Sequence, residues 1–108
     1  MENTLFISNE TFKVDWSIHA EWLEWILRTV VPAMRKSPDT QWVRLAKLMD
    51  LDEDDGPTYA LQTGLATKAD YDRFAAVELP LLMQEAYARW EGRFVEFRTL
   101  MALLDDGL

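Results

Sequence analysis

The chain has 108 residues, of which 49% are apolar and 12% aromatic, and it carries a formal net charge of −8. This length and apolar content predict a single globular domain over residues 1–108 that buries a core without a metal or a disulfide. The negative charge and the lack of any lysine or arginine cluster argue against binding to nucleic acid or to an anionic membrane. The sequence contains no cysteine, which excludes disulfides and thiolate chemistry.

The N-terminal sequence MENTLFISNE has neither the charged region nor the long apolar run of a signal peptide. No apolar stretch in the chain approaches the length that spans a membrane. We therefore expect a soluble, cytoplasmic protein that makes no membrane contact.

Residues 9–31 predict a strand that runs through a turn into an amphipathic helix. Apolar and polar residues alternate in the first half, which is typical of a strand with one buried face. Asp15 or Ser17 can cap the helix, because either side chain can accept a hydrogen bond from a free amide of the first turn. Pro32 is predicted to close this helix or to begin a short irregular turn.

The only histidine of the sequence, His19, falls near the middle of the apolar face of this helix, in its first turn. Two interpretations are open. The ring can be a neutral core side chain bonded to a backbone carbonyl. Alternatively, it can line a pocket between helix and sheet and act there as a general base. Trp22, on the same face, fits the core in the first interpretation and a pocket wall in the second.

The segments 41–49 and 58–66 alternate apolar and polar residues and predict two further strands. The acidic stretch between them, DLDEDDGP, has some features of a calcium-binding loop. However, the glycine comes one position late at Gly56, and Leu61 stands where the closing glutamate would be. We therefore interpret this stretch as an acidic hairpin turn.

Thr67 and Asp70 predict the start of a second helix, since their side chains can satisfy early amide groups reciprocally. Pro80 interrupts the apolar pattern of this helix and predicts a break or kink near Leu79. Residues 93–103 alternate again and predict the last strand.

The order strand, helix, strand, strand, helix, strand predicts an α+β, ferredoxin-like βαββαβ fold with both helices on one face of a four-stranded antiparallel sheet. The predicted helix-side face consists of Phe12, Val14, Val43, Leu45, Leu61, Val95, Phe97 and Met101. The predicted opposite face consists of Thr11, Lys13, Trp42, Arg44, Gln62, Phe94, Glu96, Arg98 and Leu100. Because the opposite face combines large apolar residues with charges of both signs, it predicts a homodimer joined sheet to sheet.

Several segments of the chain resemble the small bacterial family called domain of unknown function 4286. They are NETFKVDWSIHAEWLEWI, VPAM, TYALQ and GRFVEFRTLM, and the most specific parts are IHAEWLEW and VEFRTL. The resemblance covers nearly the whole chain and implies a dimeric α+β barrel, in which two ferredoxin-like sheets face each other. Relatives in that wider group include cofactor-free monooxygenases, isomerases, haem-degrading enzymes and proteins with no known activity.

The sequence departs from this family in one respect. Members often carry further histidines beside the two helix-end prolines, whereas the stretches VVPAM and VELPLL contain none. The departure argues against a mechanism that needs a histidine pair or a haem ligand in the second helix.

Two functions fit these observations. The first is a homodimeric small-molecule-binding or cofactor-free enzyme-like domain with a pocket between sheet and helices. His19 would then transfer a proton. The candidate ligand-binding residues are Asn9, Trp22, Tyr59, Tyr87 and Arg98. The second function is a non-catalytic dimeric structural or protein-interaction module.

Arg98 itself has two interpretations on the predicted open face. It can bind a substrate carboxylate, or it can form an ion pair with Glu96 of the partner subunit. No cofactor is expected, because one histidine and scattered carboxylates lack the spacing of a metal site and the four glycines form no phosphate loop. The expected partners are therefore a second copy of the chain and a small molecule.

Overall fold

Four strands form one antiparallel sheet in the computed structural model, which describes residues 5–105. They are β1 (Phe6–Val14), β2 (Thr40–Lys47), β3 (Thr58–Leu65) and β4 (Phe94–Ala102), and their order in the sheet is β2-β3-β1-β4. Two helical stretches connect them, α1 over residues 19–36 and α2 over residues 68–90. The predicted ferredoxin-like fold is confirmed.

The helix α1 contains a widened turn in its middle. It runs as an α-helix over His19–Trp25, as a π-helix over Ile26–Val30 and again as an α-helix over Val31–Lys36. Pro32 lies in the first turn of the last part. In a regular helix its ring would clash with the carbonyl four residues earlier, and the wider turn accommodates it. The prediction that Pro32 closes the helix or begins an irregular turn is therefore wrong.

The helix α2 is built in the same way. An α-helical part, Lys68–Arg73, is followed by a π-helical part, Phe74–Glu78, and by a longer α-helical part, Leu79–Trp90. Pro80 again lies just after the π-helical part. The irregularity lies where the sequence predicts it, but the helix continues through it instead of breaking.

The two helices begin differently. Thr67 caps α2 as predicted, since its Oγ1 accepts from the amide of Asp70 at 3.0 Å. The residue before α1 is Ile18, which provides no side-chain cap. The Asp15 carboxylate instead accepts from the amide of Ser17 at 2.8 Å. Asp15 and Ser17 therefore shape the turn between β1 and α1 and do not cap the helix itself.

The strand β1 lies in the centre of the sheet and sets which residues share a face. Phe12 and Val14 are fully buried, and the ring of Phe12 lies 5.3 Å from that of Trp22 on α1. Even-numbered positions of β1 therefore face the helices. The main apolar residues of the core are Phe12, Val14, Trp22, Ile26, Val30, Met34, Leu61, Leu65, Phe74, Leu79, Met83 and Ala86.

The predicted faces of β4 are wrong. The register pairs Phe12 with Glu96, so the even-numbered residues of β4, Phe94, Glu96, Arg98 and Leu100, lie on the helix side. The open face instead carries Val95, Phe97 and Met101, whose exposed fractions are 51%, 63% and 36%. Both faces of this edge strand carry large apolar residues, so alternation alone cannot tell them apart and the pairing with β1 decides.

Residues 48–57 join the antiparallel strands β2 and β3, as predicted for an acidic hairpin connection. Gly56 has φ 146°, and a Cβ atom there would lie 1.8 Å from the carbonyl oxygen of Val14. Only glycine lets this connection lie against the end of β1. Among residues 5–105, no group of three or more His, Asp or Glu side chains is arranged to hold a metal ion.

No helix within residues 5–105 combines the length and the apolar character needed to cross a membrane.

Candidate functional site

A group of polar side chains lies on the helix-facing side of the sheet, among core residues. Ser8 and Glu10 follow the same alternation as Phe12 in β1, and both are fully buried. The register places Thr63 of β3 opposite Ser8, and Arg98 of β4 opposite Glu10. We refer to Ser8, Glu10, Thr63, Tyr87, Glu96 and Arg98 as the Glu10 cluster.

One oxygen of the Glu10 carboxyl group is well bonded and the other is not. Ser8 Oγ donates to Glu10 Oε2 at 2.7 Å, and Arg98 Nε lies 3.5 Å from the same oxygen. Three oxygen atoms of the cluster, Glu10 Oε1, Thr63 Oγ1 and Glu96 Oε2, are buried and have no hydrogen-bond partner among the described residues. Each such atom costs about 1–3 kcal/mol of stability. Buried polar atoms without a partner are uncommon in folded proteins, and three of them in one group of titratable side chains mark a candidate site.

Burial raises the pKa of Glu10 from its ordinary value of 4.5 to about 7. The hydrogen bond from Ser8 and the positive charge of Arg98 act in the opposite direction, and the negative charge of Glu96 adds to the rise. The carboxyl group can therefore gain or lose a proton near neutral pH. This property suits a proton donor or acceptor in a site that excludes water.

The Glu10 cluster reaches solvent where α2 meets β4. Tyr87 of α2 is half exposed, its hydroxyl donates to Glu96, and its ring stacks on that of Phe94 at 5.6 Å. Burial and the bond to Glu96 raise the pKa of Tyr87 to about 12, so the hydroxyl stays protonated. The Arg98 side chain, 36% exposed, lies between solvent and the buried carboxyl group of Glu10.

The structure brings three of the predicted site residues together at a second place. A hydrogen bond of 2.7 Å joins His19 Nε2 and Tyr59 Oη, and the two rings are nearly parallel with centroids 5.7 Å apart. Trp22 is fully buried and contacts the ring of Tyr59 at 5.3 Å. The ring of Trp16 meets His19 edge-on at 5.2 Å. We refer to Trp16, His19, Trp22 and Tyr59 as the His19 group.

The electrostatics of the His19 group keep its rings uncharged near neutral pH. Burial lowers the pKa of His19, and the positive charge of Lys47 lowers it further. Burial also raises the pKa of Tyr59. His19 Nε2 and the Tyr59 hydroxyl therefore serve as each other's hydrogen-bond partners.

Two predicted site residues lie elsewhere. Asn9 is on the open face of the sheet, where its side chain donates to Thr11 at 3.0 Å and accepts from Gln62 at 3.2 Å. It therefore does not line a pocket between sheet and helices. Arg98 is on the helix side and pairs with Glu10 of its own chain, so the interpretation that places it on the open face is wrong.

The sequence contains one signal for the Glu10 cluster, although none of the predicted site residues other than Tyr87 and Arg98 belongs to it. Ser8 and Glu10 have the same parity in β1 as the apolar residues Phe12 and Val14. Polar residues at the core-facing positions of a central strand lower stability unless they have hydrogen-bond or ion-pair partners. The partner side chains Thr63 and Arg98 follow only from the register, which the sequence does not reveal.

We expect the His19–Tyr59 hydrogen bond to couple the two residues energetically. Tyr59→Phe removes only the hydroxyl and should lower the free energy of unfolding by about 1 kcal/mol. In a double-mutant cycle with His19→Ala, measured by urea unfolding, the coupling should also be about 1 kcal/mol. If the two effects simply add, the bond contributes nothing to stability and His19 regains its place as a candidate proton-transfer residue.

The fold is that of ferredoxin-like proteins, among them proteins described as dimeric. The model of the family described as Domain of unknown function (DUF4286) matches residues 5–104, and the chain belongs to this family. No curated protein matches the chain in sequence.

Three solved structures illustrate the likeness in fold. A protein of unknown function from Nitrosomonas europaea has a TM-score of 0.72 at 12% identity, with 100% of this chain and 97% of that chain covered. A monooxygenase of Streptomyces coelicolor, in complex with the ligand nanaomycin D, gives 0.66 at 17% identity, covering 97% and 92%. A dimeric ferredoxin-like protein of unknown function from Thermobifida fusca gives 0.65 at 10% identity, covering 95% and 94%.

Proposed function

We propose that this protein is a homodimeric, cofactor-free, enzyme-like domain that binds a small molecule in a pocket between the sheet and α2. The Glu10 cluster forms the polar end of this pocket, and the space between α2 and β4 is its entrance. The observation that carries the proposal is the set of three buried, unpartnered oxygen atoms in this cluster, Glu10 Oε1, Thr63 Oγ1 and Glu96 Oε2. Ligand sites combine mostly apolar walls with a few convergent polar groups, and this side of the sheet has that composition.

The chemistry available at the site is proton transfer. The Glu10 carboxyl group has a pKa of about 7 and needs no cofactor to give or take a proton. Arg98 lies close enough to balance a negative charge on Glu10 or on a bound molecule. The complex of the similarly folded Streptomyces coelicolor monooxygenase with nanaomycin D supports the binding of a small molecule by such a fold.

The open face of the sheet supports the homodimer. Val95, Phe97 and Met101 lie on this face of β4. Trp42 of β2 lies on the same face, with the Arg44 guanidinium 4.1 Å from its ring. A second copy would cover these exposed apolar side chains. The dimeric relative from Thermobifida fusca supports the same assembly.

A fragment screen by thermal shift tests the proposed pocket. We expect at least one uncharged compound to raise the melting temperature of the full chain, because a ligand that binds only the folded state stabilises it. The rise should be lost in Thr63→Val, which removes a hydroxyl at nearly constant volume. It should persist in Thr29→Val, a matched change at an exposed position of α1.

A screen in which no compound stabilises the wild type, or in which Thr63→Val binds every hit as well as the wild type does, would contradict the pocket. The alternative, a non-catalytic dimeric structural or protein-interaction module, would then account for the protein.

A further inference from the structure

A cavity of about 330 Å³ lies between α1 and α2 and shares no residue with the Glu10 cluster. The charged residues that line it, all exposed, are Glu21, Glu24 and Arg28 of α1 and Glu85 and Arg89 of α2. Trp25 forms an apolar wall. Its side chain is 5% exposed, and its ring meets that of Trp90 edge-on at 5.5 Å. The volume is at the lower end of the range of ligand sites and suits a small molecule.

Two of these charged side chains, Glu24 and Arg28, are left without a partner. They are four residues apart on α1, a spacing at which acidic and basic side chains usually pair on a helix. Glu24 lies in the first α-helical part of α1, whereas Arg28 lies in the π-helical part, and the widened turn shifts the two side chains out of the usual arrangement. Within residues 5–105 neither side chain forms a hydrogen bond or an ion pair. The cavity therefore offers one free carboxylate and one free guanidinium group.

The other three charges form one network. Arg89 lies 2.8 Å from the carboxylate of Glu85 and 3.7 Å from that of Glu21. The Arg89 guanidinium also lies 4.2 Å from the ring centroid of Trp90, a cation–π contact that restricts its position. One guanidinium group cannot balance two carboxylates. This end of the cavity therefore keeps one uncompensated negative charge.

We infer that the cavity binds a basic α-amino acid. The carboxylate of this ligand pairs with Arg28, and its ammonium group pairs with Glu24. The positive end of its side chain lies between Glu21 and Glu85. Glu21 precedes Glu24 by about 5 Å along the helix axis, a distance that a lysine or arginine side chain spans.

Charge complementarity selects this class of ligand over others. Each charge of a basic amino acid meets a charge that the cavity leaves unbalanced. A simple anion would be repelled by the three carboxylates, and a neutral amino acid would leave the end with Glu21 and Glu85 uncompensated. The inferred site is separate from the proposed pocket and does not depend on it.

L-Arginine and three analogues test the contacts one at a time. L-Citrulline lacks the positive side chain, agmatine lacks the carboxylate, and Nα-acetyl-L-arginine lacks the ammonium group. Each is titrated into the full chain, and the amide NMR shifts of Glu24, Arg28 and Arg89 are followed. L-Arginine should bind at least about fivefold more tightly than each analogue, which is the effect of one solvent-exposed ion pair.

Agmatine gives the sharpest comparison, because it carries two positive charges and the protein has a net charge of −8. General attraction to an acidic protein would make agmatine bind more tightly than L-arginine, whereas the inferred site requires the opposite order. Arg28→Gln should reduce the preference for L-arginine over agmatine to less than about twofold. Lys36→Gln makes the same charge change at an exposed position of α1 outside the cavity and should leave the preference intact.

Several results would overturn the inference. They are equal binding of L-citrulline and L-arginine, tighter binding of agmatine, shifts confined to other amides, and no binding of L-arginine at millimolar concentration. Loss of the preference in Lys36→Gln would overturn it too, since general charge would then explain the binding. Equal binding of Nα-acetyl-L-arginine would exclude the ammonium contact and with it a free amino acid as the ligand. The proposed pocket is tested separately by the fragment screen.

Discussion

Replacing Phe97 by aspartate is expected to convert the protein from a dimer into a monomer at micromolar concentration. The side chain is 63% exposed on the open face, where Val95 and Met101 extend the same apolar patch. In a two-fold interface the substitution buries an unpaired carboxylate from each subunit, so its cost of several kcal/mol applies twice. Light scattering coupled to gel filtration should show the mass fall from twice 12.6 kDa to 12.6 kDa.

The matched control for this prediction is Leu81→Asp. Leu81 is 62% exposed, nearly as much as Phe97, but it lies on α2 and not on the open face of the sheet. This variant should remain a dimer. A wild type that is monomeric at micromolar concentration, or dissociation caused by Leu81→Asp alone, would show that the open sheet face is not the dimer interface.

Most of the fold could be predicted from the sequence because its signals are local. Alternation of apolar and polar residues identifies β2 and β3, and the Thr67 cap identifies the start of α2, without knowledge of any partner strand. The faces of β4 could not be predicted in this way. Phe94 and Leu100 have one parity, Val95 and Phe97 have the other, and only the register with β1 separates them.

The candidate site was harder to predict than the fold, because its contacts join distant segments. His19 and Tyr59 were both predicted as site residues, but the hydrogen bond between them spans 40 positions of the chain. The pKa of Glu10 depends on burial and on Ser8, Arg98 and Glu96, of which only Ser8 is a near neighbour in sequence. Contacts between distant segments therefore set the pKa of Glu10. The sequence pattern shows only that Ser8 and Glu10 are polar residues at positions of β1 where apolar residues are expected.

The buried carboxyl group of Glu10 should make stability depend on pH in a direction that is unusual for an acidic residue. Its pKa rises from 4.5 in the unfolded chain to about 7 in the folded protein, so the folded state binds more protons in between. The contribution of Glu10 to the free energy of unfolding should therefore fall by about 3 kcal/mol as the pH rises from about 4.5 to about 7, and level off above. The contribution is present below this range and lost above it.

Glu10→Gln isolates this effect, because it removes the ionisable group and keeps the shape of the side chain. The difference in unfolding free energy, variant minus wild type, should increase by about 3 kcal/mol between about pH 4 and about pH 8. Urea unfolding measures this difference. The protein concentration is kept fixed, since the proposed dimer would make stability depend on concentration. The titration of His19 and of the surface carboxylates occurs in both proteins and cancels in the difference.

Glu24→Gln provides the control, because Glu24 is exposed on α1 and lies outside the Glu10 cluster. Its difference from wild type should stay constant over the same pH range. A flat difference for Glu10→Gln would mean that the Glu10 carboxyl group ionises as freely as one in water. Glu10 would then not exchange a proton near neutral pH, and the proposed proton transfer would have no group to perform it. The proposed ligand binding would still be open to test.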